Sequence, residues 1–542
     1  MLYGGITVGP IVETMGMTST PAGLWFASYF FSMVVRDICK ELVRQGKEIL
    51  TLPENYSFEE HEEDNGIGSY HDRVYFKAST DTDMDAARAD VAQAMKCSID
   101  QRAEEMEEAF SHKVQAEDLK KYVRKFLQLH YVILDASQIV KEGGIAQALA
   151  GALDALELSQ HSKLKQESSY MRQLIRGTQE DSNVYLRRFP VLIKEAENDS
   201  FPLAYKKEGN IRIKSLSEIA AGHELSEQEE NTVRKTARYI AIVQCDGDSM
   251  GKTIASDREI GNLEQQERRI RKFSGMCMEY TKFSSQMIVE YGGVVIYAGG
   301  DDLLFLAPIL SNNPNGSHRD IWDLCRAIGR KFDEIFRESD AERKPSISMG
   351  LSIQYRKFPL YEAFQDAIGL LFGTAKNFSK DYKNNLAVHL RKSSGQSVAL
   401  TCRMETRAST DPHYGVYDKY IEFIHRFFLQ DGKGAEESNK LMHSVIYHLE
   451  THHVLFQSAL ESETVDEIKN AFQNMFDNYG QSFGTKMLDE LAELAVVTHK
   501  AFKGEAIVSA SGLGSNKEKS DSLSCLTSML RLAKFMVEEG RQ

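Results

Sequence analysis

Two adjacent aspartates, Asp301 and Asp302, follow Gly299 and Gly300 in the stretch GGVVIYAGGDDLLFLAP. The apolar runs Val294–Tyr297 and Leu303–Ala307 read as buried strands, so the four residues from Gly299 to Asp302 fall on the turn of a hairpin. A single Gly-Asp suits any turn of this kind. Two neighbouring carboxylates are different: like charges a few ångströms apart raise one another's pKa, and a divalent cation is the usual means of keeping both ionised. Glycines lacking Cβ let the backbone come close to a bulky anion. The expectation is a metal and phosphate site that needs a third acid.

That acid is found in YIAIVQCDGDSMGK, where the buried run Ile240–Val243 delivers Asp246 and Asp248 at the C-terminal end of a strand. Alone, Asp-Gly-Asp also reads as an Asx-rich turn that caps a helix. If this strand pairs with the hairpin, Asp246 approaches Asp301 and Asp302. The three carboxylates and the Gly247 carbonyl are hard oxygen ligands suited to two Mg²⁺ or Mn²⁺ ions, the arrangement of nucleotidyl transfer. The backbone of Gly247, Asp248, Ser249 and Met250, with Gly299 and Gly300, is expected to line a nucleotide and hold its triphosphate. Lys376 lies near the end of a helical stripe of Phe364, Ile368, Leu371, Phe372 and Ala375 that should pack inward, and is the expected phosphate contact. It also reads as a surface lysine whose stem covers apolar neighbours.

These residues need elements to position them. A chain of 542 residues with 42% hydrophobic content suggests roughly three or four domains. Its net charge of −14 argues against unaided, whole-surface binding of nucleic acid, so any such contact is local. The seven cysteines form no CxxC pair and no close Cys/His spacing, so reduced thiols, no zinc and a cytoplasmic location are expected. PAGLWFASYFFSMVV is too short for a membrane span and reads as a buried helix; no membrane partner is expected. The acidic Glu59–Gly68 reads as a solvated loop and Ser509–Ser522 as a break between helices. Alternating strand and helix signals predict an α+β protein with two ferredoxin-like domains alternating with two helical domains. The boundaries are 1–143 for a first α/β domain without the acids, 144–236 for a helical linker, 237–398 for the acid-bearing α/β domain and 399–542 for a C-terminal helical domain.

The segments CDGDSMGK, YAGGDDLLFL, SISMGLSIQYRKFPLYEAFQDAIGLLFGTAK and KNNLAVHLRKSSG, in that order, resemble the catalytic palm of the Cas-ten family, the large subunits of type III CRISPR effector complexes. The Cmr-type branch is closest, and TVGPIVETM with GLWFASYFFS resembles its degenerate first palm. The resemblance implies that the two ferredoxin-like domains are palms, with ATP bound between them and a nucleotide second messenger made when guide RNA in a complex with other subunits meets target RNA. It implies Asp246, Asp301 and Asp302 as metal ligands, Gly247–Met250 and Gly299–Gly300 along the nucleotide, and Lys376 on its phosphates. Ser28 and Ser32 are expected to reach a second ligand. The chain starts at the first palm, and His71-Asp72 lacks the partners of an HD nuclease, so a short form without DNA cleavage is expected. In short Cmr-type members S-adenosylmethionine can accept AMP, so the product is either a cyclic oligoadenylate or an S-adenosylmethionine–AMP conjugate. A stand-alone GGDEF-like cyclic dinucleotide synthase and a non-catalytic scaffold subunit are the alternatives.

Overall fold

The structure is a computed structural model that describes residues 1–54, 56–58, 67–78, 83–110, 113–159, 169–176, 203–207, 210–225, 238–254, 262–311, 318–338, 345–378, 383–404, 413–429, 433–461, 464–476, 482–502 and 522–540. Most of the acidic loop (59–66) and of the late break (509–521) lies outside these residues.

Strands β1 (Leu2–Gly9), β2 (Glu48–Ile49), β3 (Arg73–Lys77) and β4 (Gln128–Asp135) form a sheet in the order β2-β3-β1-β4. A short hairpin follows, β5 (Ala204–Lys207) and β6 (Asn210–Ile213). The second sheet contains β7 (Tyr239–Asp248), β8 (Val294–Gly299), β9 (Asp302–Ala307), β10 (Ser346–Tyr355), β11 (Asn385–Arg391) and β12 (Ser397–Arg403), in the order β12-β11-β10-β7-β9-β8. In both sheets the first strand lies between the third and the fourth, with the second at the edge. This is the ferredoxin-like arrangement expected from the alternation of elements. Helices Pro21–Arg44, Met84–Ala109 and Ala116–Phe126 accompany the first sheet, and Leu263–Tyr291, Ile321–Ile335 and Leu360–Ile368 the second.

Two details depart from expectation. The stretch 144–236, read as a helical linker with little strand signal, contains β5–β6, whose Ala-Tyr-Lys-Lys and Asn-Ile-Arg-Ile are too short and too polar to announce strands. The helical pattern does not resume at Val398, because β12 crosses that position and pairs with β11 through Arg403. The connecting turn is set by Gly395 at φ +87, a conformation that favours glycine.

The palm sheet is buried on both faces, which explains why its central strands read as continuous apolar runs. Tyr239, Ala241, Val243 and Cys245 of β7 pack in one core with Leu303, Phe305 and Trp322. Ile240 and Ile242 enter another with Leu304, Leu306, Trp25 and Phe364. That second core is shared with the Pro21–Arg44 helix, in which every residue from Pro21 to Val35 is buried. Pro21 opens this helix, and the Thr20 hydroxyl accepts from the Gly23 N–H at 3.1 Å, so its N-terminus is capped. On the opposite side the C-terminal helices pack against Ile321–Ile335, where Trp322 meets the Tyr420 ring edge-on at 5.8 Å. Among the described residues no helix is long and apolar enough to cross a membrane.

Polar contacts also join the two α/β units along the Leu263–Tyr291 helix. The Glu267 carboxylate accepts from the Tyr3 hydroxyl at 2.6 Å and the Lys77 ammonium at 2.9 Å. Gln266 accepts from the Ile145 N–H at 2.7 Å. Arg271 donates to the Ile49 carbonyl at 3.0 Å, and Ser274 to the Thr51 carbonyl at 2.6 Å. Glu267 and Lys77 are only 10% and 18% exposed, so removing one partner strands the other. Glu267→Ala is expected to lower stability by about 1–3 kcal/mol. Glu267→Gln, which can still accept from Tyr3, should cost less. Urea unfolding of the two variants beside the parent checks the ordering, and equal losses would contradict a contribution from the Tyr3 hydrogen bond.

Candidate active site

The two acid-bearing stretches meet because β7 pairs antiparallel with β9. The last paired residues are Cys245 and Leu303. Continuing that register by one and two residues sets Asp246 against Asp302 and Gly247 against Asp301. The hairpin between β8 and β9 closes on Gly299↔Asp302, which leaves Gly300 and Asp301 as a two-residue turn. Gly300 has φ +66, as the first central position of a type II′ turn requires.

Gly247 is needed for the close approach. A Cβ there would lie 2.6 Å from an Asp301 carboxylate oxygen and 2.5 Å from Met250 Cγ. The Asp301 carboxylate is held by its own N–H and that of Gly247, yet burial keeps its pKa above the usual carboxylate range, with His71 opposing the rise. Asp302 is raised much further, first by burial and then by the charges of Asp301 and Asp72. Its Oδ1 is buried without a hydrogen-bond partner. A carboxylate oxygen in that state suits a cation.

Asp246 has a different partner. Its carboxylate is ion-paired with the Lys376 ammonium, which also donates to the Gly247 carbonyl at 3.0 Å. Burial and then the nearby Lys383 pull Lys376 down from the ordinary lysine range. Among the described residues no three His, Cys, Asp or Glu side chains converge in a geometry that would hold a metal ion. The oxygens nonetheless fit a hard divalent cation in type: three carboxylates and a carbonyl at neighbouring strand ends, one carboxylate oxygen having no donor.

Lys376 arrives by an irregular route. The Leu360–Ile368 helix passes into a π-helical segment, Gly369–Thr374, and then a 3₁₀ turn, Ala375–Asn377. The wider segment changes which residues face inward. Leu371 and Ala375 are fully buried, whereas Phe372, expected in the core, is 49% exposed and lies 5.5 Å from the Lys376 ammonium.

Asp248 was expected to line the nucleotide through its backbone; its carboxylate is buried and taken up by the Ser346 hydroxyl at 2.8 Å, the Ser348 hydroxyl at 2.8 Å and the Asn384 N–H at 3.0 Å. It ties the end of β7 to β10 and to the start of β11. Ser249 follows at φ +63, and Met250, buried against Gly247, opens the five-residue helix Met250–Ile254. At Gly299 the Tyr297 ring lies close above the backbone.

The first unit reaches the hairpin through residues 67–72. Gly68 bridges to Tyr297, and its carbonyl accepts from the Ala298 N–H at 3.3 Å. Ser28 and Ser32 lie directly beneath this loop. The Ser32 hydroxyl accepts from the Tyr70 N–H at 3.0 Å, and the Ser28 hydroxyl is buried without a partner. His71 packs on the turn itself, since a Cβ on Gly300 would lie 2.5 Å from His71 Cδ2. Burial would lower the His71 pKa, but Asp72, at 2.8 Å, and Asp301 outweigh it and raise it. His71-Asp72 had been considered only as a nuclease remnant. Its place beside Gly300 depends on packing between units and left no signal in local spacing.

The model of the Cas10/Cmr2 second palm domain matches residues 239–387. The Cmr2 subunit of the CRISPR system Cmr from Pyrococcus furiosus is 28% identical over 177 residues, which cover 29% of this chain and only 19% of that protein. Among solved structures, a Type III-B Cmr-beta complex bound to cognate target RNA contains a chain matching 98% of this one and 82% of its own length, with 10% identity and a TM-score of 0.55. The same type of complex in its apo state matches 84% of this chain and 75% of the other, with 11% identity and a TM-score of 0.50. The solved structures share the fold, and the similarity in sequence to the Cas10/Cmr2 second palm domain spans residues 239–387.

Proposed function

We propose that this chain is the nucleotidyl-transfer subunit of an RNA-guided type III effector, converting ATP into a nucleotide second messenger when target RNA is bound. The observation that carries the reading is the seating of the Asp301-Asp302 turn against Gly247 with Asp302 Oδ1 buried and unpartnered. Like-charged residues facing one another across paired strands are destabilising. Continued one residue past its last pair, the β7–β9 register would set Asp246 against Asp302 in this way, which makes sense in a site that receives cations.

On this reading Asp246, Asp301, Asp302 and the Gly247 carbonyl hold Mg²⁺ or Mn²⁺. Such ions neutralise charge on the phosphates and favour ionisation of an attacking hydroxyl. Gly299 and Gly300 leave room for the nucleotide beside the hairpin, and the backbone at Ser249 and Met250 lies at the adjoining strand end. Lys376 contributes a positive charge for the phosphates. In the reaction an acceptor hydroxyl oxygen bonds to the α-phosphorus of ATP, its proton is released, and the bond to pyrophosphate breaks with the electron pair leaving on pyrophosphate. Ser28, Ser32 and His71 sit where the first unit meets the hairpin, the side from which an acceptor would approach. The acceptor is a second adenine nucleotide, giving cyclic oligoadenylate, or S-adenosylmethionine, giving its AMP conjugate. The Cmr-beta relative binds cognate target RNA, and target RNA, guide RNA and fellow effector subunits are the partners proposed for this chain.

The test supplies the assembled complex with guide RNA, matching target RNA, Mn²⁺ and labelled ATP, with and without S-adenosylmethionine. A new labelled product that depends on target RNA is expected, and its dependence on S-adenosylmethionine identifies the acceptor. Asp301→Ala/Asp302→Ala should reduce product at least about a hundredfold, and undiminished synthesis would overturn the assignment. His71→Ala should reduce the rate about tenfold, because it frees the turn that aligns the acids. A wild-type rate in that variant would mean that the hairpin is held by its own strands alone.

A further inference from the structure

The Lys376 ammonium sits between the Asp246 carboxylate and the Gly247 carbonyl. Both groups are among the oxygens assigned above to a cation, so the present inference rests on that reading. The same ammonium is also assigned to phosphate. A divalent cation on the Asp246 and Gly247 oxygens would compete with the ammonium for the same lone pairs and repel it, so metal and lysine cannot hold them together. The backbone of Lys376 is fixed: the Ala375 carbonyl accepts from Asn385 Nδ2 at 2.9 Å, and the Lys376 carbonyl accepts from the Lys383 ammonium. Any exchange is therefore a swing of the side chain alone. The stem is flexible, and the exposed Phe372 ring, 5.5 Å from the ammonium, offers a surface along which it can move.

We propose that Lys376 is a resident counter-ion that occupies the metal's oxygens until nucleotide arrives and then transfers to the phosphates. The site consequently binds metal poorly alone and well together with nucleotide. The lysine offsets the carboxylate in the empty site and gives up its place when a triphosphate offers it a better partner. Metal loading is thereby coupled to substrate, which limits idle occupation of the site by free cation.

The coupling is read by titrating Mn²⁺ into the full-length chain and following free Mn²⁺ by electron paramagnetic resonance. The proteins are wild type, Lys376→Met, Lys376→Gln and Asp301→Ala/Asp302→Ala. Without nucleotide, both lysine variants should bind Mn²⁺ about tenfold more tightly than wild type, since a competing opposite charge typically shifts a carboxylate's affinity for a cation by that order. With a non-hydrolysable ATP analogue that advantage should vanish or reverse. Lys376→Gln retains a donor for the Gly247 carbonyl, so loss of folding in Lys376→Met would leave the comparison intact. Equal or weaker Mn²⁺ binding by the lysine variants, with binding still dependent on Asp301 and Asp302, would overturn the counter-ion role and leave the metal site standing. Mn²⁺ binding indifferent to the loss of Asp301 and Asp302 would overturn the metal reading, and the counter-ion role with it.

Discussion

The candidate site depends on one strand pairing, β7 against β9. Its register runs through Cys245↔Leu303, and the next two steps bring Asp246 to Asp302 and Gly247 to Asp301. A slip of one residue would turn every side chain of β9 to the other face. Leu303 and Phe305 would leave the core shared with Trp322, while Leu304 and Leu306 would leave the core shared with the Pro21–Arg44 helix. Because both faces are buried, both penalise the slip. Hydrophobic packing along the length of the sheet thus fixes the position of carboxylates at its end, where packing alone would never place them.

The two α/β units share a strand order but use the same connection differently. In the palm, β8 and β9 are joined by two residues, and that turn carries Asp301 beside Asp302 at the start of β9. In the first unit, β2 and β3 are joined by the long stretch from residue 50 to residue 72, whose end docks Gly68 on β8 and His71 on Gly300. A short connection gives precise placement of its own residues, whereas a long one can reach a neighbour. The contacts of Glu267, Arg271 and Ser274 with the first unit make that reach reproducible, because they fix the Leu263–Tyr291 helix against the sheet from which the long connection departs.

Much of this was legible in the sequence where a single element carries the information. The strands of the palm announce themselves by apolar runs, the turn by its glycines, and the meeting of Asp-Gly-Asp with Gly-Gly-Asp-Asp by the ferredoxin-like order. What was missed depends on relations between elements. The partners of the Asp248 carboxylate, Ser346, Ser348 and Asn384, come to it from β10 and the residue before β11, far along the chain. Phe372 fits a helical stripe only if the helix is regular, and the π-helical segment removes that condition. His71 acquires its importance from Gly300, a residue of the other unit.

Charge adds a last constraint. A chain of net charge −14 repels a triphosphate at long range, and in physiological salt that field fades beyond about 8 Å. Recognition is therefore decided within a few ångströms of the hairpin. Lys376 and Lys383 stand together at the end of the π-helical segment, their charges opposing each other and drawing Lys376 toward the nearest carboxylate. Without that ammonium, Asp246 would face Asp302 across the strands with no nearby charge to offset either. The acids that suit the site to metal also make it hostile to phosphate, and a basic group able to change partners reconciles the two requirements within one small volume.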